Sequence, residues 1–137
     1  MNHLPYSLSD RTAAFSKKVL LFCGSVQATI VTRPIIDQLI RSANSVGANY
    51  AEANNAASKT DFRNKIFIAK KEAAESEYWL ILLEDFAPNK ADCIELKQEC
   101  HYILMTLQKI INTLRDNTEN GKQKTQSERK TVNGERH

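Results

Sequence analysis

The chain has 137 residues, 42% hydrophobic and 26% charged, with a net charge of +3 and only four glycines and three prolines. That length suits one domain with a real core, and the composition excludes disordered, collagenous and disulfide-rich classes. No stretch approaches the roughly 18 to 20 apolar residues that span a bilayer, the longest candidate being VLLFC at 19–23.

Apolar residues recur at alternating steps of three and four, the pattern of helices packing along a seam. The first predicted helix carries Phe15, Val19, Phe22 and Val26 and opens after Ser7 or Ser9, either able to accept a hydrogen bond from a free helical N–H. The second carries Ile36, Leu39, Ala43, Val46 and Tyr50, with Pro34 in its first turn, where a missing N–H costs nothing. A break follows at NNAAS, and Asn54 and Asn55 suit a helix end because asparagine tolerates the left-handed conformation.

Ser58 and Asp61 have the spacing of a capping box and start the third helix, whose seam is Phe62, Ile66, Ala69, Ala73, Ser76, Leu80 and Leu83 before Pro88 stops it. The fourth runs through Cys93, Leu96, Cys100, Ile103, Leu107, Ile110 and Leu114. These seams predict an all-α fold, an antiparallel up-and-down four-helix bundle over residues 1–116, followed by a flexible, basic, polar tail over 117–137. The third helix has a second apolar strip, Phe67, Ile68, Ala74, Tyr78, Ile81 and Leu82, opposite its seam; a lone bundle would leave it in water, so it is the expected oligomer interface.

Charge is polarised along the chain. Residues 33–71 carry seven Lys and Arg against three Asp and Glu, residues 72–100 carry two against eight, and residues from 117 onward carry five against three. The basic stretch supplies the candidate nucleic-acid contacts Arg33, Arg41, Lys59, Arg63, Lys65, Lys70 and Lys71, with Lys122, Lys124, Arg129 and Lys130 added by the tail. Aromatic residues are not interleaved with them, so any binding should be salt-dependent and weakly selective. The alternative is a protein-interaction scaffold in which Glu72, Glu75, Glu77, Glu84 and Asp85 pair with basic residues of a neighbouring subunit.

The most unusual stretch is RSANSVGANYAEANNAASKTDF at 41–62. Gly47 stands alone, so a glycine-rich phosphate loop is not indicated, and no G-x-S-x-G elbow surrounds the serines. None of His3, His101 and His137 follows a glutamate at the Glu-x-x-His spacing of a carboxylate metal site in a bundle. Cys23, Cys93 and Cys100 form no CxxC pair and read as small buried hydrophobes. No catalytic residue, metal or cofactor is therefore expected. As a helix-packing element, Ala43, Gly47 and Ala51 at steps of four form a notch for close backbone approach, and Asn49 and Glu52 are candidates for hydrogen bonds or ion pairs across a helix contact to Arg41, Arg63 or Lys65.

QLIRSANSVGANYAEA followed by SKTDFRNKIFIAKKEAAESEYWLILL, residues 38–83, resembles the central motif of the bacterial four-helix-bundle family of 23S rRNA intervening-sequence proteins. The usual pattern there is QLxRSAxSIxxNIAEG, then S-x-x-(D/E)-F leading into IAxxSxxExxxxL; this chain has Tyr50 where isoleucine is usual and Ala53 where glycine often stands. The resemblance implies a homopentamer without assigned catalysis. It also implies kinship with the accessory variability determinants of diversity-generating retroelements, which pair with a reverse transcriptase and nucleic acid. Because MNHLPYSLSD lacks the basic start and apolar segment of a signal peptide, the expected location is the cytoplasm, with no membrane partner.

Overall fold

The computed structural model describes the backbone of residues 7–134 and the side chains of residues 7–121. Among the described residues there are four α-helices and one short 3-10 turn: α1 (Leu8–Ser25), α2 (Thr32–Asn54), α3 (Lys59–Leu83), the turn Glu84–Phe86, and α4 (Lys90–Gly134).

Each start has a local cause. Ser7 caps α1, its Oγ accepting from the N–H of Asp10 at 3.1 Å. Ahead of α2, the Thr29 hydroxyl accepts from the N–H groups of Val31 and Thr32, each at 3.2 Å, and Thr32 donates to the Gln27 carbonyl at 2.6 Å. Ser58 caps α3 by accepting from the Asp61 N–H at 3.1 Å, as the capping spacing predicts. Asn89 Oδ1 accepts from the Ala91 N–H at 3.0 Å where α4 begins.

Cross-helix contacts set the topology. Ser16 reaches the Ala43 carbonyl, Ser42 meets Ser76, Cys100 reaches the Ala73 carbonyl, and Arg11 meets Glu99. With the contacts made by Lys65, Cys93 and Lys18, every adjacent pair, including α4 against α1, runs antiparallel. The bundle is up-and-down, with residues 26–31, 55–58 and 84–89 as its connections.

The core follows the seams: Phe15, Val19, Leu39, Ala43, Val46, Ile66, Ala69, Ala73, Leu80, Ile103 and Leu107 are all buried. Among the described side chains of α4 the last buried one is Ile111, while Ile110 and Leu114 are only half-buried, because the seam steps by four rather than three after Leu107.

Two expectations need correction. No described non-glycine residue has positive φ, and Asn55 sits at φ −108°, ψ 13°. The end of α2 instead tightens through Asn55 N–H to the Glu52 carbonyl and Ala56 N–H to the Ala53 carbonyl, with the Asn55 side chain donating to the Ala51 carbonyl. The second concerns α4, which does not end at Asp116 but continues as helix to Gly134. Glu, Lys, Gln and Arg favour helix, and no proline stops it. Among the described side chains the continuation adds no burial, from Arg115 through Gly121.

Candidate interaction surfaces

The α2–α3 seam is built from small and polar side chains. Ser42 and Ser76 share a hydrogen bond of 2.8 Å in the interior, Ser76 also reaching the Glu72 carbonyl at 2.8 Å. Ser42 and Ser76 are fully buried, and no buried side-chain nitrogen or oxygen among the described residues lacks a partner. A satisfied hydroxyl pair costs little and lets the two backbones approach.

Gly47 works the same way against α1. A β-carbon built there would lie 3.3 Å from Thr12 Oγ1 and 3.4 Å from Thr12 Cβ, so the close approach expected at Gly47 is present and its partner is Thr12. Ala43 is buried in the same notch, but Ala51 is exposed. Steps of four overshoot the 3.6-residue turn by about 40° each, so two steps past Ala43 the stripe has rotated off α1. Asn49 bonds within its own helix, donating to the Ser45 carbonyl at 2.8 Å, whereas Glu52 crosses to Lys65 at 2.6 Å, one of the partners foreseen.

The candidate basic residues divide into two groups. Arg41 is held by its own chain: Nη1 lies 3.2 Å from Glu72 Oε2, Nη2 donates to Glu75, and Nε donates to Gln38 at 3.2 Å. Trp79 Nε1 adds a bond to Glu75 at 3.3 Å. The Arg41 hydrogen bond holds the Glu75 carboxyl below its ordinary value and raises the guanidinium further. Lys65 is likewise paired, with Glu52.

Arg33, Lys59, Arg63, Lys70 and Lys71 make no ion pair among the described residues, although Arg63 lies over the Phe67 ring at 5.7 Å. Lys59 and Arg63 flank the α2–α3 connection, lining an open groove with Asn54, Asn117 and Thr118. Lys70 and Lys71 follow two turns up α3, while Arg33 sits at the opposite end of the bundle, so the structure gathers four of these five and leaves Arg33 apart. The side chains of Lys122, Lys124, Arg129 and Lys130 lie outside the described ones, as do His3 and His137.

The acidic stretch is paired within the chain. Beyond Glu72 and Glu75, Glu77 faces His101 Nδ1 at 3.6 Å, Glu84 meets Lys97 at 3.3 Å, and Asp85 meets Lys90 at 3.8 Å. A scaffold that draws these five carboxylates to a neighbour's cations would have to break those contacts.

One cluster had no signal in the sequence. Arg11 grips Glu99 with two bonds, 3.0 and 2.9 Å, and lies 3.9 Å over the Tyr102 ring, stapling α1 to α4. Eighty-eight residues separate Arg11 from Glu99, and no local pattern couples them.

All three cysteines are free and buried. Cys93 and Cys100 donate to the carbonyls of Leu80 and Ala73 at 3.3 and 3.2 Å, and burial pushes the Cys100 thiol up to about 12. No group of His, Cys, Asp and Glu among the described residues could hold a metal ion, and no described helix is long and apolar enough to cross a membrane.

The second strip on α3 points outward. Tyr78 is 53% and Ile81 50% exposed, with Ile68, Ala74 and Leu82 also exposed and Phe67 half-buried. Large apolar side chains are thus grouped on one face of α3 and left in water.

Comparison with known proteins agrees with this architecture. No curated protein matches the chain. A solved structure from Bacteroides thetaiotaomicron, described as a protein of unknown function from the S23 ribosomal protein family, is 31% identical, with a TM-score of 0.66 over 77% of this chain and 98% of its own. The model of the 23S rRNA-intervening sequence protein family matches residues 8–109, which take in α1, α2, α3 and the packed part of α4. With the bundle, its α2–α3 seam and this match in agreement, the chain belongs to the 23S rRNA-intervening sequence protein family.

Proposed function

We propose that this chain is a non-enzymatic, homo-oligomeric bundle of the bacterial cytoplasm that associates with RNA or DNA through basic surfaces repeated around the oligomer, a homopentamer by family resemblance. The observation that carries the proposal is the set Lys59, Arg63, Lys70 and Lys71 on the first half of α3, four cations without an ion pair among the described residues. Repetition around a ring multiplies such a patch into a field that attracts phosphate. Because Glu72 and Glu75 of α3 are paired with Arg41 within the chain, those two carboxylates cancel little of that field. Arg41 and Lys65, occupied by Glu72, Glu75 and Glu52, contribute less than their charge alone implies.

A second reading is an accessory scaffold, for a reverse transcriptase of a diversity-generating retroelement for instance, that does not itself touch nucleic acid. It is favoured by the exposed strip at Tyr78 and Ile81, which can dock protein, and by the absence of exposed aromatic residues between the cations.

Binding to mixed RNA and DNA, measured by fluorescence anisotropy at 50 and 200 mM salt beside the assembly mass, separates the two. The nucleic-acid reading expects binding that falls steeply with salt, each phosphate contact adding about 0.7 to 0.9 to the log–log slope. Lys59→Glu, Arg63→Glu and Lys70→Glu together should abolish it while leaving the mass unchanged. An oligomer that binds nothing at low salt sinks that reading and leaves the scaffold.

A further inference from the structure

Besides the α3 strip, α1 shows an apolar face left in water, holding the most exposed leucine of the described helices. Leu21 of α1 is 77% exposed and Leu20 47%, with Ala13, Ala14, Gly24 and the cation Lys17 exposed around them. A β-carbon added at Gly24 would meet nothing within 4 Å, so this face is low and open. Helices α1 and α3 stand diagonally across the bundle, each packed on α2 and α4.

The two faces are also level. Thr12 faces Gly47 and Ser16 reaches Ala43, while Ser42 meets Ser76 and Glu52 meets Lys65. Following those pairs at about 1.5 Å per residue puts Ala14 beside the height of Ala74, and Leu20 and Leu21 within the span of Tyr78, Ile81 and Leu82. Small residues thus sit level with small ones, and large with large.

We infer that the outward face of α1, centred on Leu21, is the surface on a second copy of this chain that receives the α3 strip, so that copies join head to tail. This rests on the homo-oligomeric reading above and specifies its contact. A two-fold dimer through the α3 strip leaves Leu20 and Leu21 in water, and one through α1 leaves Tyr78 and Ile81 there. A head-to-tail contact buries both faces at once. Equal heights on the two sides allow successive copies to close a ring instead of climbing as a filament.

Charge agrees with the pairing. Asp10, at the foot of the α1 face, and Lys71, within the α3 strip, make no ion pair among the described residues and lie within about one turn of each other in height. In the assembled form Lys71 then faces Asp10 of the next copy and leaves phosphate to Lys59, Arg63 and Lys70.

The test is complementation between two surface variants, Leu21→Asp and Ile81→Asp, with masses from sedimentation equilibrium and folding checked by circular dichroism. Each variant alone should be monomeric, and an equimolar mixture should form a dimer of one copy of each, since each retains the face the other has lost. If Leu21→Asp keeps the wild-type mass while Ile81→Asp is monomeric, the α1 face is refuted and the oligomer stands. A monomeric wild type refutes the oligomer reading and this contact together. As an independent check, Ala14→Cys and Ala74→Cys proteins mixed under mild oxidation should give a disulfide-linked heterodimer. Only uncrosslinked chains, with the wild type oligomeric, would overturn the contact.

Discussion

Replacing Gly47 by leucine tests the close approach of α1 and α2. The β-carbon alone would stand 3.3 Å from Thr12 Oγ1, 3.4 Å from Thr12 Cβ and 3.7 Å from the Thr12 carbonyl carbon. Thr12 cannot turn aside: it is 2% exposed and its hydroxyl donates to the Ser9 carbonyl at 3.0 Å. Leucine gains about 0.8 kcal/mol in helix propensity over glycine, but overpacking costs about 1–3 kcal/mol. Gly47→Leu should therefore lose about 1–2 kcal/mol net, with Gly47→Ala within about 1 kcal/mol of the wild type. Urea unfolding followed by circular dichroism reads this, at two protein concentrations because assembly would add its own stabilisation. Thr12→Ala removes the nearest atom and should recover part of the loss, whereas Thr12→Ser keeps both nearest atoms and should not. A Gly47→Leu protein as stable as Gly47→Ala, or equal recovery by both Thr12 variants, would refute the reasoning.

Other expectations follow from the same contacts. The Glu75 carboxyl is held below the ordinary 4.5 mainly by its hydrogen bond from Arg41, so its contribution is full above the unfolded value and is lost as pH falls through the lower folded one. Unfolding free energy measured from pH 6 to pH 3 should fall, and Arg41→Ala should flatten that slope; an unchanged slope would count against the pair. Arg41→Ala should also cost about 1–3 kcal/mol at pH 7 by stripping the buried Glu72 of its partner, a loss that thermal unfolding would detect. With Cys23 and Cys93 pushed up to about 11 and Cys100 to about 12, a thiol reagent at pH 8 should label the native protein slowly and all three sites at once in urea. Rapid labelling of any one would contradict its burial. Removing residues 117–137 should change stability by less than about 0.5 kcal/mol, because α4 buries nothing from Arg115 to Gly121; a larger loss in denaturant titration would mean the extension packs.

What the sequence determined by itself was the bundle. Period, capping residues and breaks are properties of a few neighbouring positions, and they located all four helices, the Ser58 cap, the seams through Leu107 and the second face of α3. The motif from Gln38 to Leu83 carried the family as well. Gly47 was legible as a close contact because a glycine inside a helix needs a reason, although Thr12, its partner, was not. Only the tertiary structure decided which charges were spent. Whether Arg41 meets Glu72 and Glu75 or faces solvent depends on how α2 and α3 are rotated and how far one has slid along the other. Neither quantity is written in a single helix. For the same reason Arg11, Glu99 and Tyr102 carried no signal, Ala51 fell off the notch once the helical turn had drifted, and the level match of Leu21 with Tyr78 and Ile81 appeared only when two antiparallel registers, α1 on α2 and α2 on α3, were fixed together.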